Sequence, residues 1–354
     1  MGMILNNETL KLARTYLGYS QKEFSEKIGV SQAVVSNIEK NNKPLTDDLI
    51  TKLDDFSFNF FAQKMSQPLL KVHYRASSTV AKKLTDLFES RLQIISNNIT
   101  TFLETVDIPE NRIPQKDLED FGLDAEYLAN EVRQYFNLGN RPIENLVNLL
   151  EKNGVVVYFF DYDFISSQNK NFDGVSFYVK GVPVILINDK IQNARKIFTL
   201  AHELGHLIMH NHNDFFISKD RDIEKEANVF ASEFIAPKSA LRGEFARLTL
   251  EKLFDLKAIW KLSIAALLYK AKEMTLSKDQ YRRWITRLAA FRKHEPNDVK
   301  IQKPQMLKKV FSLCEADMGG KEHFLEELGL SEKVFKEIYS TLLENDKPKL
   351  RVVI

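Results

Sequence analysis

The pentapeptide His202-Glu203-Leu204-Gly205-His206 restricts the fold more than any other stretch of this 354-residue chain. It lies in FTLAHELGHLIMHNH, residues 198–212, which holds four of the seven histidines. On an α-helix, residues four apart lie one turn up the same face, with Cβ atoms about 5–6 Å apart. Two imidazoles so spaced can both reach one zinc ion, at roughly 2.0–2.1 Å per Zn–N bond. Ile197, Leu200, Ala201, Leu204 and Ile208 recur at helical spacing and predict a buried stripe, leaving His202 and His206 on an adjoining face. Glu203 would stand close enough to take a proton from a water presented by the metal and pass it to a leaving amine. Gly205 is expected to keep the approach to the metal uncrowded. A single helical histidine is usually a satisfied core residue. Two at metal spacing around a glutamate are poorly explained that way.

A third ligand is required, and spacing offers three. His212 lies six residues after His206, but an unbroken helix carries it about 600° round, onto the wrong face. A helix break at Met209 would be needed, and methionine does not favour one. The other two candidates lie in EKEANVFASEFIAP, where Ala227, Phe230, Ala231 and Phe234 make an apolar stripe. Glu224 precedes Ala227 and Ala231 by three and seven residues, so it faces inward with them, whereas Glu226 points largely away. Glu224 is therefore the expected third ligand. Asn228, one turn beyond it, is placed to bond a ligating histidine. His210 and His212 are expected to be polar residues at a helix C-terminus, where the dipole favours positive charge.

The segments around these helices predict a small sheet. PIENLVNLLEK reads as a helix ending at Asn153-Gly154, followed by the β-branched and aromatic run VVVYFF. VSFYVK and VPVILIN follow, divided by turn residues at Asp173-Gly174 and Gly181. Helices are then expected over roughly 192–210 and 222–235, the second stopped by Pro237. Beyond it the chain reads as helical to near its end, with breaks near Pro296 and Pro304. Residues 66 to about 140 read as helical and charge-rich, with weak breaks at Pro109 and Pro114.

These paired motifs resemble the ImmA/IrrE-type zinc metallopeptidase family over roughly residues 141–295, from LLEKNGVVVYFF through KLSIAALLYKAKEM. The resemblance implies a gluzincin-like site with His202 and His206 as ligands, Glu203 as base and a glutamate of EKEAN as third ligand. It also implies a restricted substrate, since members are associated with cleaving or inactivating a repressor.

Residues 10–45, LKLARTYLGYSQKEFSEKIGVSQAVVSNIEKNNKPL, are similar to the Xre/phage-repressor helix-turn-helix family. In such a fold the recognition helix enters the major groove, with Gln32, Ala33, Ser36 and Asn37 on its exposed face. Glutamine can bond adenine and alanine can touch a thymine methyl. Arg14, Gln21 and Lys43 are expected to reach phosphates. Asn41-Asn42 replaces the usual glycine after the recognition helix, and asparagine tolerates the left-handed conformation the turn needs. Between Glu8 and Phe60 there are seven Lys/Arg against eight Asp/Glu. Phosphate neutralisation supplies most non-specific affinity, so one copy should bind weakly and a homodimer or partner is expected to help.

The expected architecture is multidomain and mainly α. It comprises a five-helix-type helix-turn-helix domain (1–65), a helical linker (66–140), an α+β zincin-like peptidase core with a small sheet (141–240) and a C-terminal helical domain (241–354). Net charge is +2, which gives no global field toward nucleic acid or membrane. A single cysteine, Cys314, excludes an intramolecular disulfide and suits a reducing cytosol. No run approaches 18 apolar residues and MGMILNNETLKL has no signal-peptide pattern, so a cytoplasmic location without membrane partners is expected. Lys270–Val310 carries twelve Lys/Arg against four Asp/Glu, with Tyr281, Trp284 and Phe291 interleaved. A solvated helical face with its aromatics in the core is the expected reading. Together these features predict a zinc endopeptidase that binds operator DNA and cleaves a repressor-like or antitoxin-like protein. The competing expectation is a transcriptional regulator whose peptidase fold serves as sensor or docking surface.

Overall fold

The computed structural model describes residues 4–64, 82–161, 172–211, 217–218, 220–291 and 299–343. Five short helices open the chain: α1 (Asn7–Tyr16), α2 (Gln21–Ile28), α3 (Gln32–Glu39), α4 (Asp47–Ile50) and α5 (Phe58–Ala62). Their limits follow from local chemistry. Ser20 and Glu23 form a reciprocal capping box at the start of α2, which satisfies two otherwise orphaned N–H groups. Gly29 closes α2 in the left-handed conformation (φ 67°). Asn41 takes φ 60° after α3, the conformation expected of it in the absence of glycine.

Helices α6 (Lys82–Thr105), α7 (Ala125–Tyr135) and α8 (Leu146–Lys152) lead to the sheet. The helix expected from Pro142 begins later, because the side chain of Asn145 accepts from Asn148 N and caps it there. Strands β1 (Val156–Phe160), β2 (Gly174–Val179) and β3 (Val182–Asn188) lie in the order β1-β3-β2. β1 runs parallel to β3, with Val156 opposite Val184. β2 pairs with it antiparallel, Ser176 opposite Ile185. Lys180 and Gly181 both take positive φ in the two-residue turn joining β2 to β3, as a primed hairpin turn requires. Helices α9 (Asn193–Met209) and α10 (Ile223–Ile235) follow, then α11 (Lys238–Leu241), α12 (Leu250–Trp260), α13 (Ile264–Met274) and α14 (Lys278–Arg287). The last four are α15 (Met306–Asp317), α16 (Lys321–Leu328), α17 (Glu332–Ile338) and α18 (Ser340–Leu343). Among the described residues no helix is long and apolar enough to cross a membrane.

The sheet divides two hydrophobic cores, and the two-residue period of a strand assigns its side chains between them. Val156, Tyr158 and Phe160 of β1 and Val175, Phe177 and Val179 of β2 face a core shared with the N-terminal helices, α6 and α15–α17. Val157, Phe159, Ile185 and Ile187 face the other core, built from α7–α10 and α12–α13. Tyr281, Trp284 and Phe291 pack partly buried against that second core, as the basic stretch was expected to place them.

The N-terminal helices are joined to the C-terminal ones by backbone as well as side chains. Ser57 N donates to Gly329 O (3.0 Å) and Ser331 N to Asp55 O (3.1 Å), forming a bridge at Phe56 and Leu330. The Tyr16 hydroxyl donates to Glu337 Oε2 at 2.8 Å. Gly329 (φ 68°) lets the chains meet: a Cβ there would fall 2.2 Å from Phe60 N. Next along α17, Ile338 O accepts from the Tyr158 hydroxyl (2.7 Å), so one element touches both the helix-turn-helix unit and β1.

Candidate metal centre

Helix α9 crosses the face of the sheet that carries Ser176, and α10 packs along it. Close approach of α10 depends on Gly205. A Cβ there would meet the Phe230 ring at 3.0 Å and Ala227 Cα at 3.5 Å. The glycine therefore serves helix–helix packing, where it was expected to clear a path to the metal. The same approach brings Glu224 over the two histidines. Its carboxylate lies 3.6 Å from His202 Nε2 and 3.4 Å from His206 Nε2. The two Nε2 atoms are 3.0 Å apart. Ligand atoms of His202, His206 and Glu224 thus all lie within 4.8 Å of one another.

What the outer ring nitrogens touch decides what the inner ones present. His202 Nδ1 lies 3.1 Å from Asn228 Oδ1, an oxygen that can only accept. His202 must therefore carry its proton on Nδ1 and turn an Nε2 lone pair inward. His206 is buried, and burial brings its pKa down to about 3, so it is neutral. Two imidazole lone pairs and a carboxylate converging on one point repel each other unless a cation stands between them. Two nitrogens and one oxygen at this spacing could hold a metal ion.

Glu203, next to the first histidine, is 3 % exposed and accepts from Ser176 Oγ at 2.7 Å. Burial pushes its carboxyl up to about 7 against the opposing pull of His202 and the Ser176 hydrogen bond. A carboxyl poised near neutrality suits general acid–base work. Asn211 Nδ2 donates to Ser176 O (3.1 Å) and Oγ (3.3 Å), tying the end of α9 to β2. Ser176 went unremarked in the sequence, yet a serine on an otherwise apolar and aromatic strand was a signal.

The remaining histidines divide. His212 lies outside the described residues. His210 is fully buried, where a polar residue favoured by the helix dipole was expected. Its Nδ1 lies 2.9 Å from His206 Nδ1 and its Nε2 lies 2.9 Å from Glu226 Oε2. Glu226 is also held by Arg221, Nε to Oε1 at 3.0 Å and an amino nitrogen to Oε2 at 2.8 Å. Burial alone would raise Glu226, but hydrogen bonds from His210 and Arg221 outweigh it and bring the carboxyl to about 2.

In the N-terminal unit, Gln32, Ala33 and Lys43 are exposed, while Ser36 and Asn37 are half-buried on the same helix. Arg14 is turned inward, away from any phosphate. Its guanidinium donates to both carboxylate oxygens of Glu39 (2.5 and 3.1 Å) and to Tyr19 O (2.9 Å). Gln21 Nε2 donates to the same carboxylate at 2.7 Å. A mostly buried carboxylate at the end of α3 needs these partners. The two residues therefore lock α1, α2 and α3 together.

A His-Glu-x-x-His helix completed by a glutamate of the next helix, beneath a small sheet, defines a metallopeptidase-type domain. Residues 150–272 match the family model Peptidase M78, described as IrrE N-terminal-like domain, and residues 10–56 match that of a helix-turn-helix. The chain thus combines a DNA-binding helix-turn-helix with an ImmA/IrrE-type peptidase domain. No curated protein matches it.

Proposed function

We propose that this chain is a cytoplasmic regulatory zinc endopeptidase that binds operator DNA and cleaves a repressor-type or antitoxin-like protein. The observation that supports it most is the convergence of His202, His206 and Glu224 beside a buried Glu203. Those three residues would hold the zinc ion, which supplies Lewis-acid polarisation of the scissile carbonyl and activates the attacking water. Glu203 would take a proton from the attacking water and deliver it to the leaving amine. Ser176 keeps the accepting carboxylate oriented, and burial keeps its affinity for the proton near neutral pH.

Incubation of the zinc-loaded chain with repressor-type proteins from its source organism tests this reading. Cleavage is expected with zinc and none after chelation. An intact partner in both arms transfers support to a regulator whose peptidase fold acts as sensor or docking surface.

DNA contacts are assigned to Gln32, Ala33, Ser36 and Asn37 at base edges and Lys43 at a phosphate. Weak charge complementarity makes a homodimer the expected binding species. The paired variant Gln32→Ala/Asn37→Ala should lose about 1–3 kcal/mol per removed base contact against the operator, with non-specific binding little changed. Fluorescence anisotropy on operator and scrambled duplexes measures both, and an equal loss on the two would place these side chains away from the bases.

A further inference from the structure

Beyond the three converging ligands, one buried chain of side chains has no part in the chemistry described above: His210, Glu226 and Arg221. It begins at Arg221, whose guanidinium has donors only. Two of its nitrogens engage the two oxygens of Glu226, the bidentate fork of a charged pair. Glu226 is thereby an acceptor. The nitrogen of His210 facing it, Nε2 at 2.9 Å, must carry a hydrogen and donate it. Arg221 already supplies the positive partner of Glu226, and His210 has no exposed surface, so the imidazole stays neutral. A neutral imidazole with its proton on Nε2 has a lone pair on Nδ1. That lone pair faces His206 Nδ1 at 2.9 Å and accepts from it. His206 then has its proton on Nδ1, and its Nε2 lone pair is turned toward His202 and Glu224.

We propose that Arg221, Glu226 and His210 form a positioning chain that fixes the tautomer and ring angle of His206, presenting its Nε2 as a metal donor. The inference rests on the metal reading of the site. His202 meets the Asn228 amide at its outer nitrogen, whereas the outer nitrogen of His206 is backed by three residues from two segments. The helical step that separates His202 from His206 also separates His206 from His210. Three imidazoles therefore line one face of α9 and its C-cap, the first two as ligands and the third as the support of His206. Glu224 and Glu226, two residues apart on α10, divide the work: one completes the donor set and the other anchors the chain behind it.

The first readout follows protons directly and needs neither metal nor substrate. In metal-free full-length protein labelled with ¹⁵N-histidine, two-bond ¹H–¹⁵N correlation should show His206 protonated at Nδ1 and His210 protonated at Nε2. In His210→Leu the partner is lost. His206 should then shift toward the Nε2-protonated form, and zinc affinity, measured by competition with a chromophoric chelator, should fall about tenfold to a hundredfold. His210→Gln restores an acceptor oxygen toward His206 and a donor toward Glu226, so tautomer and affinity should return. A merely space-filling role would leave the tautomer unchanged and make the two variants alike. An Nε2-protonated His206 in the parent protein overturns the proposal outright. Zinc binding with the expected tautomers but no proteolysis would retain the positioning chain and remove the peptidase reading, and the converse result would do the opposite.

Discussion

Glu203→Gln is expected to bind zinc as tightly as the parent chain and to lose cleavage of its partner protein by about 10²–10⁴-fold. The substitution is nearly isosteric, and its remaining carbonyl oxygen can still accept from Ser176 Oγ, so the side chain should stay where the carboxylate lies. None of the three converging ligand atoms belongs to it. What disappears is the base, because an amide cannot take a proton from the attacking water. Burial makes that loss hard to compensate. At 3 % exposure, bulk solvent has little access to replace the carboxylate. Zinc content by atomic absorption and fragment release by electrophoresis separate the outcomes. Full zinc with unimpaired cleavage would remove Glu203 from the chemistry, and loss of zinc as well would make it a structural group.

Local pattern carried most of what the sequence revealed. VPVILIN is β-branched, short and bounded by Gly181 and polar residues, and it forms β3 from Val182 to Asn188. Helices expected over 192–210 and 222–235 run 193–209 and 223–235. Periodicity placed Glu224 on the stripe of Ala227 and Ala231, and the structure brings it to the two histidines. The rest depended on contacts that no local window contains. Asn59 Nδ2 donates to Glu326 O across 267 residues, so the docking of the N-terminal helices on α16 has no periodic trace. Arg14 reads as a surface cation until Glu39, 25 residues on, is known to face it. His210 was legible in spacing, four residues past His206, but its place at the expected helix C-terminus suggested a polar residue favoured by the dipole. Glu226, from a different helix, is what makes burial tolerable there.

Glu224→Ala should weaken zinc binding on the order of a hundredfold while leaving the metal-free fold at least as stable as the parent. Zinc sites with four protein ligands bind with about 10–16 kcal/mol, so one ligand accounts for about 3 kcal/mol, on the order of a hundredfold in affinity. With free zinc at a hundred times the parent Kd, binding stabilises the folded chain by about 2.7 kcal/mol, and a hundredfold weaker site retains about 0.4 kcal/mol. The zinc-induced rise in Tm should therefore nearly vanish. The metal-free comparison has the opposite logic. There the carboxylate faces two imidazole lone pairs with no cation between them, 3.4 and 3.6 Å away, and its removal relieves that repulsion. Calorimetric scans of both proteins, with zinc and with chelator, give all four values. Glu226→Ala is the contrasting variant: its carboxylate bonds His210 and Arg221 behind His206 and lies outside the converging set, so the zinc-induced shift should shrink without vanishing. That variant should destabilise the metal-free protein, because it leaves the mostly buried guanidinium of Arg221 without its anion. If instead Glu224→Ala weakened the metal-free fold and spared the zinc shift, Glu224 would be a packing residue and the third ligand would have to lie elsewhere.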